Sequence, residues 1–135
     1  QGRIVQSGND ASIALAEAAA SSEATFAVLM NGFSKRLGLT GYVEVVGRPC
    51  CLVYATRDDR RQSSQPFRTL LMQELIKRGV LAPRLVVSYS HADEDIDSTI
   101  DAFAGALEVY RKALAEGVHK HLVGRPVKPV FRRFG

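Results

Sequence analysis

Between Asp93 and Gly117 the chain reads DEDIDSTIDAFAGALEVYRKALAEG, and Ile96, Ile100, Phe103, Leu107, Tyr110 and Leu114 recur at alternating steps of four and three. That is the period of an α-helix with one apolar stripe. A stripe of this length must lie against a second layer of structure, so the rest of the chain has to supply one. Asp93, Glu94 and Asp95 crowd the start, where the positive end of the helix dipole favours them, and Gly117 is the expected stop.

The second layer is expected from short β-rich runs. Tyr42–Val46 (YVEVV) and Cys51–Ala55 (CLVYA) are rich in β-branched and aromatic residues and flank a Gly-Arg-Pro turn, so they read as neighbouring strands; RLVVSY, residues 84–89, reads as a third. Pro66 opens a helix whose apolar face is Phe67, Leu70, Leu71 and Leu75 and which Gly79 ends. Upstream, the alanine-rich stretch from Ala11 to Leu37 favours helix, with Asp10 as its cap and a break near Ser21 and Ser22; Phe26, Leu29, Met30 and Phe33 are spaced as one face of it. The expected fold is α+β: a two-layer sandwich with a small, mainly antiparallel sheet and helices on one face, one domain over residues 1–135 with 1–37 as a helical lead-in.

Composition narrows the classes of function. With 46% hydrophobic and 24% charged residues in 135, the chain is that of a globular domain. It holds no apolar run near the roughly 20 residues a bilayer demands. No signal peptide is visible at QGRIVQSGND, and a cytoplasmic location is expected; the start at Gln1 rather than methionine points to a processed or cropped chain. The net charge of +4 sits largely in DDRRQ and in the tail HKHLVGRPVKPVFRR, without an aromatic-interleaved basic stripe, so no nucleic-acid partner is expected. Cys50 and Cys51 are adjacent, which strains any bridge between them, and they read as small apolar strand residues.

Chemistry is sparser than structure. His91, between a strand end and a helix start and followed by carboxylates, suits a general base or ligand; alternatively Ser90 or His91 caps the helix. His119 and His121 have no evident third metal ligand. No glycine-rich phosphate loop occurs, and no serine or cysteine stands in a context that identifies its base. Lys35, in NGFSKRLGLTG, has the look of a Schiff-base lysine, yet the helical spacing before it makes it a surface residue on a last turn.

A family resemblance appears further on. In RTLLMQELIKRGVLAPRLVVSYSHADEDIDSTIDAFAGALEVYRKAL, residues Arg78 to Val80, Leu81 to Pro83, Ser88, Ser90, His91, Asp93 to Asp97 and Thr99, with the closing LVGRPVKPVFRRFG and the strand pair in VVGRPCCLVYATRD, resemble the C-terminal domain of class III pyridoxal-phosphate aminotransferases of the glutamate-1-semialdehyde 2,1-aminomutase group. The resemblance spans about Gly38 to the C-terminus. It implies a small domain that closes a cleft against the large pyridoxal-phosphate-binding domain of a parent enzyme, its partner, with homodimerisation possible and no membrane or nucleic-acid partner. It implies that the cofactor lysine belongs to that large domain and that this chain alone binds no cofactor or metal and is inactive. Arg84 is its one candidate substrate-binding residue; the family's carboxylate-binding arginine aligns with Val80, so Arg84 either approaches from another register or is a strand-edge residue. The competing expectation is a free-standing interaction or regulatory domain that shares the fold without the chemistry.

Overall fold

The computed structural model describes residues 27–48, 51–85 and 90–128. Helix α1 is described over residues 27–36; β1 spans Val43–Arg48, β2 Cys51–Thr56, α2 Gln65–Lys77 and α3 Asp93–Glu116, followed by a 3-10 turn at Val118–Lys120. The expected α+β architecture is what forms, with β1 and β2 antiparallel.

Alternation along the strands places one sheet face in the core. The register pairs Val43 with Thr56, Val45 with Tyr54 and Gly47 with Leu52. The side chains of Val43, Val45, Leu52, Tyr54 and Thr56 are buried, whereas Glu44, Val46, Val53 and Ala55 between them are not. This is the two-residue period of a strand with one face against a second layer.

A two-stranded sheet has two edges, and both are closed by groups that are not strands. On β1, the Asn31 side chain accepts from the Val45 N–H (2.9 Å) and donates to the Val45 carbonyl (3.2 Å), the Ser34 hydroxyl donates to the Val43 carbonyl (2.8 Å), and the Val43 N–H reaches the Leu39 carbonyl (3.2 Å). On β2, the Leu52 carbonyl accepts from the Leu85 N–H, the Tyr54 carbonyl from the Arg68 guanidinium and the Thr56 carbonyl from the Ser64 N–H. A lone hairpin in water is marginal, and its open edges invite further pairing. Here the neighbouring helices and loops satisfy those edges.

Helix ends follow local chemistry. Ser64 caps α2, accepting from the Phe67 N–H, with Pro66 in the first turn. At its other end Gly79 has φ +81°, its N–H reaches the Ile76 carbonyl, and the Val80 N–H reaches back to the Leu75 carbonyl. Gly38, at φ +72°, ends α1 with the same pair of bonds, Gly38 to Lys35 and Leu39 to Ser34. Both are Schellman endings, in which a left-handed residue turns the chain and an apolar residue follows it into the core: Leu39 is 1% exposed.

The stripe of α3 does what its spacing predicts. Phe103, Leu107 and Tyr110 are fully buried, Ile96, Ile100 and Leu114 flank them half-buried, and Ala102, Ala106 and Ala113 widen the face where α2 packs. Tyr110 is more than an apolar residue. Its hydroxyl accepts from the Arg57 N–H (3.0 Å) and donates to the Arg57 carbonyl (2.5 Å), tying α3 to the end of β2. Gly105 sits under the Arg78 side chain, where an added Cβ would fall 2.5 Å from Nε, so this helix can have no side chain there without moving Arg78.

Several local expectations are corrected. Of the expected third strand, Leu85 forms an antiparallel bridge to Leu52, and residues 86–89 lie outside the described residues. The α3 cap is Ala92, not Ser90 or His91; lacking a side-chain oxygen there, the helix uses Asp95, whose carboxylate accepts from the Ala92 N–H at 2.9 Å. On α1 the buried positions are Met30 and Ser34, while Leu29 is 42% exposed, because the helix turns its polar latch rather than a wholly apolar face to the sheet edge. Asp10, the expected break at Ser21 and Ser22, Phe26, the helical stretch before residue 27, Cys50 and the Cys51 side chain lie outside the described residues.

Candidate functional site

Two depressions mark the surface of the described residues. The first, about 310 Å3, lies where α1 meets the edge of β1 and is lined by Asn31, Ser34, Lys35, Thr40, Glu44 and Val46 among others. Each residue is there for a local reason. Asn31, Ser34 and Lys35 stand on the last turns of α1; Thr40 lies in the tight turn that the Schellman ending at Gly38 forces; and Glu44 and Val46 point away from the core because strand alternation sends Val43 and Val45 into it.

This groove offers one ammonium, one carboxylate and short polar side chains at a strand edge. The Glu44 carboxylate is engaged by Arg57 at 2.9 Å, an ion pair in which both side chains stay partly exposed. Asn31 and Ser34 spend their polar atoms on β1. Lys35 and Thr40 line it as exposed side chains.

The second depression, about 520 Å3, lies between the start of α2 and the end of α3, with Asp58, Asp59, Glu116 and His119 at its rim. His121 pairs through Nε2 with Glu116 at 3.0 Å. Among the described residues no group of three or more histidine, cysteine, aspartate or glutamate side chains is placed to hold a metal ion.

The strongest electrostatic feature lies elsewhere. Glu74 on α2 is buried, 5% exposed, and accepts from Lys77 (2.7 Å), Arg78 (2.8 Å) and Gln73 (3.1 Å). Burial pushes its carboxyl up, but these donors and the Lys77 charge outweigh that and hold it at about 2. Burial raises the Tyr110 hydroxyl well above its ordinary range, against the hydrogen bond from Arg57, and raises Tyr54 likewise against the Arg68 charge. These groups brace the fold; neither depression uses Glu74 or the two tyrosines.

Lys35 is exposed on the last turn of α1, as expected. Arg84 is exposed in the bend before Leu85 and lines neither depression; His91 is exposed just before the α3 cap. Of the three, Lys35 lines the α1–β1 depression. Among the described residues, no helix is long and apolar enough to cross a membrane.

Comparison with known proteins points elsewhere than the aminomutase resemblance. Residues 1–48 match the family model described as D-alanyl-D-alanine carboxypeptidase. Over 40 residues, 30% of this chain and 10% of the relative, the chain is 60% identical to D-alanyl-D-alanine carboxypeptidase DacC of Escherichia coli. The chain thus spans about a tenth of the length of the curated relative it matches. No solved structure matches it.

These findings overturn the reading as the small domain of a pyridoxal-phosphate aminotransferase or aminomutase, together with its large cofactor-binding domain as partner and the alternative of a free-standing domain of that fold. The aminomutase resemblance rests on short motifs after Gly38, none specific alone, while the family match falls on the N-terminal residues 1–48. A signal was available there. Ser7-Gly8-Asn9 has the Ser-x-Asn outline of a motif that penicillin-binding serine enzymes carry beside S-x-x-K and K-T-G. These three residues lie outside the described residues.

Proposed function

We propose that this chain carries part of a D-alanyl-D-alanine carboxypeptidase-type serine peptidase, acting on peptides that end in D-alanyl-D-alanine. The observation that carries this is the match of residues 1–48 to that family. Supporting it, every lining residue of the α1–β1 groove, from Asn31 to Val46, falls inside the matched segment. Lys35, exposed at the groove, supplies a cation for a terminal carboxylate.

The division of labour follows from the sequence. Ser7-Gly8-Asn9 supplies the Ser-x-Asn element, whereas the 135 residues contain no Ser-x-x-Lys and no Lys-Thr-Gly. The reading therefore assigns this chain the Ser-x-Asn part and the groove wall, and places the acylated serine of the peptidase in sequence other than these residues.

The test is covalent labelling of the longest natural product that contains this chain with a fluorescent penicillin, alongside D-alanine release from a peptide ending in D-alanyl-D-alanine. Labelling is expected there and absent from the 135-residue chain alone. Asn9→Ala in the natural product is expected to slow acylation by at least about tenfold, the factor that corresponds to about 1.4 kcal/mol. A natural product that neither acylates nor releases D-alanine would sink the reading.

A further inference from the structure

The hold of α1 on the rest of the domain is unusual in kind. In residues 27–36 only Met30 and Ser34 are buried, whereas α3 buries Phe103, Leu107 and Tyr110 along with three alanines. Val28 and Leu29 face outward, 72% and 42% exposed. Beside the apolar contacts of Met30, Phe33 and Ala27, the described part of α1 is tied down by polar bonds: the Asn31 amide makes both an acceptor and a donor bond to Val45, and the Ser34 hydroxyl reaches the Val43 carbonyl. The Asn31 side chain here occupies the position of the next strand's peptide group. It does for β1 what a third strand would do.

We propose that α1 is a displaceable cover over the free edge of β1, latched by Asn31 and Ser34, and that when it lifts the edge pairs with β1 of a second copy of this chain. The latch bonds are of the modest net kind, about 1 kcal/mol each, and among the described residues of α1 Met30 is the one fully buried large apolar side chain, with Phe33 half-buried against the core beside it. The edge beneath is self-complementary. Val45 turns both its N–H and its carbonyl outward, so two β1 strands related by a two-fold axis at Val45 exchange both bonds as an antiparallel hydrogen-bonded pair. That register sets Glu44 of one copy opposite Val46 of the other, so no like charges face each other, and Val46 is already 42% exposed. The alternative edge, on β2, is occupied by Leu85, Arg68 and Ser64. The pairing needs no catalytic activity, and the form with α1 lifted lacks the Asn31, Ser34 and Lys35 wall of the α1–β1 groove.

The experiment uses the 135-residue chain. Residue-resolved amide exchange of the unaltered protein is expected to show the Val45 amide exchanging together with those of α1, at least about tenfold faster than Leu107, the factor corresponding to about 1.4 kcal/mol. In Asn31→Ala/Ser34→Ala, Val45 protection is expected to fall further while Leu107 keeps its own, and sedimentation is expected to show a concentration-dependent dimer. If Val45 in the unaltered protein exchanges only with Leu107, α1 is an integral part of the fold and the cover does not exist. If the double variant stays monomeric with α1 released, pairing with a second copy is wrong. The amide measurement needs no variant, so a double variant that failed to fold would leave it decisive.

Discussion

Glu74 tests how far buried charge holds this domain together. Its carboxylate, 6% exposed at the side chain, is shared by Lys77, Arg78 and Gln73, and it lies well below its ordinary value of 4.5, at about 2. A carboxyl whose folded value is depressed contributes stability that is complete above about 4.5 and disappears as the pH falls through about 2. At about 1.36 kcal/mol per pH unit, the drop from 4.5 to about 2 sets a ceiling of roughly 3 kcal/mol. Lys77 is 51% exposed and Arg78 32%, so water screens the pair and the contribution comes down to about 1–2 kcal/mol. Glu74→Gln keeps the shape and removes the charge. Urea unfolding is expected to show the variant about 1–2 kcal/mol less stable than the unaltered chain at pH 7, the gap closing towards zero at pH 2. Taking the difference between the two proteins removes the contribution of every other carboxyl. A gap that stays constant from pH 7 to pH 2, or no gap at pH 7, would refute the account of Glu74 as a net stabilising charge.

Three further outcomes are expected. Leu107→Asp, which places an unpaired charge in the fully buried middle of the α3 stripe, should destabilise the domain by at least about 3 kcal/mol in thermal or urea unfolding; an unchanged melting temperature would deny that α3 packs on the sheet. Tyr110→Phe removes the hydroxyl that joins α3 to the Arg57 backbone while keeping the ring against Phe67, and should cost about 1–3 kcal/mol. Gly79→Ala forces a side chain into a left-handed Schellman position with open space around it, so backbone strain alone should cost about 1 kcal/mol, measurable as a lowered urea midpoint without a changed slope.

Much of the architecture could be read from residue order because it depends on short-range periodicity. The α3 stripe, the alternation of Val43 and Val45 with Glu44 and Val46, the Pro66 entry to α2 and the glycine stops at Gly79 and Gly117 all act within a turn or a strand. Function was less legible, since the residues that resemble an aminomutase lie after Gly38 whereas the family match falls on residues 1–48, where Ser7-Gly8-Asn9 is too short to carry any periodicity. Other features come from contacts between distant residues, which no local pattern encodes. Asn31 meets Val45 across 14 residues, Tyr110 meets Arg57 across 53, and Thr69 binds the Val127 N–H across 58. Asn31 reads as an ordinary polar residue on a helix until the fold brings the β1 edge beside it. Whether a polar side chain solvates a surface or completes a sheet depends on which backbone groups the fold has left without a strand, and that is a property of the packed chain.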